Sequence, residues 1–356
     1  MINLFSPLEL RGVTVANRSW VSPMCQYSAH EGVVGDWHLV HLGSFATGGA
    51  GLVLAEATAV SPEGRISVDC PGLWNDAQVE AWRRVTAFAH SLGTPMGIQL
   101  AHAGRKGSTH APWADHQFAS LDEGGWQTVA PSAVAFEGYP APRALSLTDL
   151  DQVVEAFADA ASRALAAGFD VLEIHAAHGY LLHEFLSPLS NQRDDEYGGS
   201  FANRTRLLLR VVDAVRATVP EKTPLLVRLS ATDWTEGGWS DDETVELAGQ
   251  LAPRGVDLID VSSGGNVARA SIPVGPGYQV GFAERVRREA NVPASAVGLI
   301  TDAHQADEII RTGRADAVML ARAHLRNPRW TLAAAEALGH VISWPHQFDR
   351  ARTLHP

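Results

Sequence analysis

Short continuous apolar runs alternate along this chain with longer stretches in which apolar residues recur at helical spacing. The runs that read as strands are residues 20–23, 52–57, 96–100, 171–175, 225–229, 258–262, 296–300 and 317–320. They are continuous and do not alternate with polar residues, which is typical of parallel strands buried on both faces. The pattern therefore predicts a parallel sheet.

Amphipathic stretches predict helices between these strands, at residues 77–90, 150–167, 204–219, 241–252, 282–290 and 304–312. Thr148 and Asp151 have the spacing of a capping box, with Asp in place of Glu or Gln. Eight strands, most of them followed by a helix, predict a (β/α)₈ TIM barrel as one domain over residues 1–339. A doubly wound sheet shares this alternation, but no convincing G-x-G-x-x-G fingerprint follows the first strand.

Two segments depart from the repeating pattern. Residues 101–145 follow the third strand and are rich in Gly, Pro, His and Trp. Loops of this length in compact domains usually have a function, so we expect this insertion to cap the barrel mouth; a surface excursion is the alternative. Residues 340–356 form a tail with Trp344 and Phe348, which is unusually apolar for a frayed end.

Composition and charge limit which binding partners and which cellular location we expect for this protein. The formal net charge of -12 argues against nucleic acid and anionic membranes, which an acidic surface repels. The chain has no apolar run of the roughly 18 residues that a membrane span needs, and its N-terminus does not resemble a signal peptide. Two cysteines cannot supply the four ligands of a typical iron–sulfur cluster. We expect a cytoplasmic protein.

The densest candidate chemistry lies directly after the fourth predicted strand, where His175, His178 and Tyr180 follow one another closely. Imidazole and phenol groups form hydrogen bonds and transfer protons. At the carboxyl end of a barrel strand they would face an active site. The two histidines, with His183 nearby, could instead bind zinc, although no Asp or Glu completes an obvious ligand set.

Four motifs carry a family resemblance: SPMCQY at residues 22–27, GIQLAHAGRK at 97–106, EIHAAHGYLLHEFLSPLSNQRDDEYGGS at 173–200 and TGRADAVMLAR at 312–322. Together they resemble the Old Yellow Enzyme family, in particular its bacterial thermophilic-like ene-reductases, over essentially the whole chain. The resemblance implies a TIM barrel that binds FMN. It also implies ping-pong chemistry, in which NADPH (preferred) or NADH reduces the flavin and the flavin then reduces an activated C=C bond.

The resemblance assigns ten residues to FMN binding: Ser22, Pro23, Met24, Cys25, Ala57, Gln99, Arg228, Gly298, Ala321 and Arg322. Gln99 and Arg228 would meet the pyrimidine side of the flavin, and the last three residues its phosphate. The alternatives are a structural salt bridge for Arg228, a satisfied core amide for Gln99 and an inert thiol for Cys25. The family usually has Gly where this chain has Ala321, which predicts a slightly different backbone there.

The resemblance also implies roles on the substrate side. His175 and His178 would hold the carbonyl oxygen of the substrate, Tyr180 would give the proton, and Cys25 would tune the flavin. Tyr27 would contact the substrate, unless it is a surface tyrosine. Arg350 in the tail would reach the active site of a neighbouring subunit, which predicts a homodimer or homotetramer; a tail packed on its own barrel is the alternative.

The predicted function is that of an FMN-dependent NADPH dehydrogenase and ene-reductase acting on small activated alkenes. One alternative keeps the flavin but gives it nitrate esters or xenobiotics as substrates. Another is a metal-dependent barrel hydrolase that uses His175 and His178. A non-catalytic binding barrel would leave these histidines and Tyr180 unexplained.

Overall fold

The computed structural model describes residues 2–353. The strands, β1 to β12 in chain order, are Leu8–Leu10, Val13–Val15, Ser19–Val21, Leu52–Ala59, Met96–Ala101, Val129–Ala130, Arg143–Ala144, Val171–Ala176, Leu225–Ser230, Leu258–Ser262, Ala294–Ala296 and Ala317–Leu320. The α-helices, α1 to α10, are Asp36–Thr47, Asp76–His90, Leu147–Ala166, Leu181–Leu186, Phe201–Thr218, Asp241–Leu251, Val280–Glu289, Ala303–Arg311, Arg322–Arg326 and Trp330–Ala337. No helix of this described part is long and apolar enough to cross a membrane.

Eight strands close into a barrel in the order β3-β4-β5-β8-β9-β10-β11-β12, and every neighbouring pair is parallel. The predicted (β/α)₈ fold is therefore confirmed. The β1–β2 hairpin packs Leu10 and Val15 against Trp20 and Leu54 in one buried cluster. Because Trp20 and Leu54 lie in the early parts of their strands, this cluster fills the amino-terminal end of the barrel and leaves the carboxyl end for chemistry.

The seventh barrel strand was predicted wrongly at residues 296–300, because it is Ala294–Ala296 and the chain then turns. Gly298 has a φ of 122° and Leu299 a φ of 49°, neither of which fits a strand. The apolar residues after Ala296 therefore lie in a loop. The predicted capping box was also wrong: it is formed by Ser146 and Asp149, two positions earlier, at the start of α3.

The insertion at residues 101–145 runs from the end of β5 to the start of α3. It contains the parallel β6–β7 pair and 3₁₀ turns at Gly104–Lys106 and Leu121–Glu123. Arg105 in its first turn donates to the carbonyl oxygens of Val134 and Asn266. The insertion is thereby hydrogen-bonded both to itself and to the loop after β10.

The tail lies against the last helix of its own barrel as far as Thr353. The backbone N–H of Thr353 donates to the Glu336 carboxylate at 2.9 Å, and Arg329 lies over the ring of Phe348 at 4.3 Å. A 3₁₀ turn spans His346–Ala351. The last three residues of the predicted tail, 354–356, lie outside the described residues, as does residue 1 of the predicted domain.

Candidate functional site

The turn after β8 is held in an uncommon conformation. His178 has a φ of 61°, a left-handed value that costs energy for a non-glycine residue. A Cβ on Gly179 would lie 2.3 Å from the carbonyl oxygen of Gly265, so the loops after β8 and β10 meet through bare backbone. The Gly179 N–H donates to Nδ1 of buried His183 at 2.8 Å. His183, a candidate metal ligand from sequence, therefore supports this turn.

This turn brings the rings of His175, His178 and Tyr180 together. The His175 ring centroid lies 5.2 Å from that of His178 and 5.2 Å from that of Tyr180, with edge-to-face geometry in both pairs. Burial, and after it the charge of Arg228, lowers the pKa of both histidines well below the usual value. Burial raises the pKa of Tyr180 well above its usual value. The site therefore presents two neutral imidazoles beside a protonated phenol.

Each imidazole has one nitrogen engaged by the protein. The Ala177 N–H donates to Nδ1 of His175 at 3.3 Å, which assigns the ring proton to Nε2. Nε2 of His178 lies 2.7 Å from Oγ of Ser262. The second nitrogen of each ring thus remains for a ligand.

Lys106, to which sequence reasoning gave no role, closes the site from the insertion. Its ammonium group donates to the carbonyl oxygens of His178 and Gly265 at 2.8 and 2.9 Å. It also lies 4.9 Å from the centroid of the Tyr180 ring. Burial lowers the pKa of Lys106 to about 8. The loops after β5, β8 and β10 thus share one cationic clamp.

Below this cluster the barrel interior holds paired polar groups. Gln99 donates to Glu173 at 2.7 Å, and burial, followed by the charge of Asp260, raises the pKa of Glu173 to about 8. Nε of Arg228 lies 2.9 Å from a carboxylate oxygen of Asp260. The structural salt bridge considered for Arg228 therefore exists. Its guanidinium also donates to Ser22 at 3.3 Å, so it links β9 to the loop after β3.

The loop after β3 carries Pro23 and Met24, both partly buried, and the thiol of Cys25. A hydrogen bond with Cys70, together with burial, raises the pKa of Cys25 well above its usual value. Ala57 and Cys70 belong to one small cluster against which Cys25, Tyr27 and Tyr180 pack. Cys70 was given no role from sequence, but the fold places it against the candidate redox thiol.

Tyr27 stands at the rim of this loop. Its ring meets the ring of Trp113 from the insertion edge to face, with centroids 5.6 Å apart. Burial raises the pKa of Tyr27 above its usual value, so the phenol stays protonated. The side chain is partly buried, which favours the substrate-contact prediction over a tyrosine on the open surface.

The loops after β11 and β12 line a separate pocket with Gly298, Ala321 and Arg322. Gly298 has a φ of 122°, which L side chains rarely adopt, and a Cβ there would lie 2.8 Å from Nε2 of Gln279, so a side chain at this position would be strained. Ala321 has a negative φ of -102°, so its backbone here does not need glycine, and the expected difference from the family's backbone stays a prediction. Arg326, which sequence reasoning missed, also lines the pocket. Two arginines and bare backbone suit a phosphate group.

The described residues fit FMN. The glycine cradle with its two arginines suits the phosphate, while buried Gln99 and Arg228 offer donors and a fixed cation to the ring system. For the zinc alternative, no third His, Cys, Asp or Glu in residues 2–353 groups with His175 and His178 closely enough to complete a metal site. The structure does not join Arg350 to this site, because its side chain is exposed on the 3₁₀ turn of the tail.

Comparison with known proteins agrees with this geometry. The model of the NADH:flavin oxidoreductase / NADH oxidase family matches residues 3–340. An NADPH dehydrogenase of Geobacillus sp. (strain WCH70) is 48% identical over 98% of this chain and 98% of its own length. The NADPH dehydrogenase of Bacillus subtilis (strain 168) is 45% identical with the same two coverages.

Solved structures give the same answer. Morphinone reductase in complex with tetrahydroNAD superposes with a TM-score of 0.80 at 30% identity, covering 97% of this chain and 93% of that one. An old yellow enzyme homologue from Zymomonas mobilis has a TM-score of 0.79 at 29% identity, covering 96% and 94%. The chain therefore belongs to the NADH:flavin oxidoreductase / NADH oxidase family, among the Old Yellow Enzymes, and is an FMN-dependent oxidoreductase that draws its electrons from NAD(P)H.

Proposed function

We propose that this protein is an ene-reductase, which uses NADPH to reduce the C=C bond of small α,β-unsaturated ketones, aldehydes, imides or nitro compounds. The observation that carries the proposal is the group of His175, His178 and Tyr180 at the carboxyl end of β8, in which the ring of His175 contacts a second neutral imidazole and a protonated phenol. FMN, when bound, takes a hydride from NADPH and supplies one to the β-carbon of the alkene. The protein must bind, polarise and protonate the substrate.

His175 and His178 form the oxyanion site. Hydride addition to an enone places negative charge on the carbonyl oxygen, and two N–H donors aimed at that oxygen stabilise the charge as it develops. Low pKa values keep both rings neutral, so they donate without holding a permanent charge in the site. The Nε2 proton of His175 is the first donor. The hydroxyl of Ser262 would donate to Nε2 of His178, which leaves Nδ1–H of that ring as the second.

Tyr180 is the proton donor for the α-carbon. Its raised pKa keeps the phenol protonated at neutral pH, so the group is available as a general acid. The ammonium of Lys106, 4.9 Å from the ring centroid, stabilises the phenolate that the transfer leaves behind. Tyr27, opposite on the loop after β3, flanks the substrate.

Arg228 and Gln99 would hold the ring system of FMN, and the loops after β3 and β4 would line it through Ser22, Pro23, Met24, Cys25 and Ala57. Arg228, fixed by its ion pair with Asp260, would stabilise the negative charge that the flavin gains on reduction. Gly298, Ala321 and Arg322 would receive the phosphate. The Cys25 thiol would tune the potential of the flavin.

We assign NADPH as the preferred reductant, with support from two relatives at 48% and 45% identity that are NADPH dehydrogenases. The reaction would take place in the cytoplasm. The insertion at residues 101–145 would act as the cap of the active site, since Lys106 and Trp113 contact its rim.

We further propose a homodimer or homotetramer in which Arg350 enters the active site of the neighbouring subunit. Its exposure in the single chain supports this, because an exposed arginine is available to a neighbouring subunit. Deleting residues 345–356 should raise KM for the alkene and weaken assembly in analytical ultracentrifugation. Unchanged kinetics in the truncated protein would contradict the role of Arg350.

An anaerobic absorbance titration tests the whole proposal. The purified protein should be yellow, lose its flavin bands with NADPH and regain them with 2-cyclohexenone. Flavin that bleaches with NADPH but does not respond to a panel of enones, enals, maleimides and nitroalkenes would exclude ene-reduction.

A further inference from the structure

A compact group of metal-ligand side chains lies in the insertion, away from the residues assigned to FMN and substrate. Its base is a hairpin-like turn, in which the N–H of His110 donates to the Gln117 carbonyl at 2.8 Å and that of Ala119 to the Ser108 carbonyl at 3.0 Å. This pairing sets His110 beside His116, with their ring centroids 4.6 Å apart. The 3₁₀ turn Leu121–Glu123 then returns the chain so that Glu123 meets both rings.

The three side chains already have the spacing of a ligand set. Their ligand atoms all lie within 4.8 Å of one another. Nε2 of His116 is 2.9 Å from Oε1 of Glu123, and Nε2 of His110 is 3.5 Å from Oε2. A tetrahedral ion with bonds of about 2.0–2.1 Å separates its ligands by about 3.4 Å. Binding would therefore require shifts of about an ångström or less.

One ligand atom lacks a protein partner. Nε2 of His110 is buried, and within residues 2–353 it has no hydrogen-bond partner although it faces the Glu123 carboxylate. Buried polar atoms normally have a hydrogen-bond partner, and a binding site for an ion is one recognised explanation for an atom that has none.

We propose that His110, His116 and Glu123 bind one divalent transition-metal ion of the zinc class, with water in the remaining position. Two imidazoles and a carboxylate are ligands that zinc takes in proteins, and three protein ligands leave one position open. The ion would join three points of the insertion that are otherwise linked only by loop hydrogen bonds. It would thus fix the segment between residues 110 and 123 in place.

This segment reaches the substrate side of the barrel. Trp113 lies between the two histidines in sequence, and its ring contacts Tyr27 at 5.6 Å. Because Trp113 is 71% exposed, little else holds it. Metal binding would therefore steady the Trp113–Tyr27 contact at the mouth of the barrel. The metal site itself does not depend on the proposed ene-reductase activity.

Calorimetric titration of ZnCl₂ into tag-free, FMN-loaded protein tests the site. We expect one zinc equivalent per chain and an affinity at least about tenfold lower in His116→Ala and in Glu123→Gln, since losing even a group that only hydrogen-bonds a metal ligand costs about 10–100-fold in affinity. His304→Ala, which removes an exposed histidine on α8, should bind as the unaltered protein does. The series is run in a Cys70→Ala background, because thiolates are strong zinc ligands and the neighbouring Cys25 and Cys70 would otherwise complicate the titration.

Hydrogen exchange then tests the consequence. Zinc should slow exchange across residues 108–126 in the parent protein and leave it unchanged in His116→Ala. A parent protein that binds no zinc at 1:1 stoichiometry, or variants that bind it equally well, would overturn the proposal. Zinc binding without slower exchange in this segment would overturn the link to Trp113.

Discussion

The two ends of the proposed flavin site are built by different means. At the substrate end, the loop after β8 brings functional side chains together, and the ring of His175 contacts the rings of His178 and Tyr180. At the phosphate end, the loops after β11 and β12 offer small residues and bare backbone around Gly298, with arginines at the edge. The substrate end depends on the side chains that are present, whereas the phosphate end depends on small residues that leave the backbone accessible.

The difference separates chemistry from binding. Loss of a side chain after β8 should slow catalysis and leave FMN in place, because these residues are not part of the phosphate pocket. Adding a side chain to a glycine in the loop after β11 should weaken FMN binding. Protein molecules that still hold FMN should reduce the alkene at the unaltered rate. Variants at the two ends should therefore change different measured quantities.

The largest effect is expected from Tyr180→Phe. Loss of a general acid typically costs about 10²–10⁴ in rate, so reoxidation of the reduced enzyme by 2-cyclohexenone should slow by that factor while FMN content is unchanged. Rapid-mixing absorbance at the flavin band measures it. Tyr197→Phe, which changes a buried phenol bonded to Arg210, is the control. Full speed in Tyr180→Phe would mean that solvent supplies the proton.

Gly298→Ala examines the other end. Its φ of 122° and the 2.8 Å approach of the added Cβ to Gln279 should cost about 1–3 kcal/mol, which weakens FMN binding by about 10–100-fold. Fluorescence titration of apoprotein with FMN gives the dissociation constant. Gly275→Ala, where a Cβ meets nothing within 4 Å, should bind FMN normally. Equal FMN affinities in Gly298→Ala and Gly275→Ala would contradict a role for Gly298 in binding the phosphate.

The side chains at the substrate end were readable from the sequence because they form one short run after a strongly predicted strand. The phosphate end was harder to predict, since Val297 and Leu299 look like strand residues and the turn shows only in the positive φ values of Gly298 and Leu299. Lys106 was missed for another reason. Its partner Gly265 lies 159 positions away, and that contact exists only once the barrel has closed.

Lys106 predicts a pH dependence. Burial lowers its pKa to about 8, so the ammonium clamp is complete below that pH and weakens as pH rises through it. The rate of enone reduction should fall by about tenfold across this range, the scale of a hydrogen bond to a charged group. Lys106→Arg stays charged and should move the fall to higher pH. Identical pH profiles for the two proteins would exclude Lys106 as the titrating group.

The smallest effect is expected from Cys25→Ala. The raised pKa keeps this thiol protonated, so its removal takes a weak donor from the redox end of the flavin. The midpoint potential should become more negative by about 10–30 mV, or about 0.5–1.4 kcal/mol for two electrons, with FMN retained. Spectroelectrochemistry measures the potential. An unaltered value would leave Cys25 as a packing residue.

The claim that the substrate end serves catalysis and the phosphate end serves FMN binding is tested most directly in the His175→Ala variant. Two quantities are measured: the rate at which 2-cyclohexenone reoxidises the fully reduced variant, and its flavin content. The account predicts a rate lower by about 10²–10³, the scale of one lost oxyanion donor, in protein that holds a full complement of FMN. A rate within twofold of the unaltered enzyme would contradict it, and so would a variant that loses its flavin.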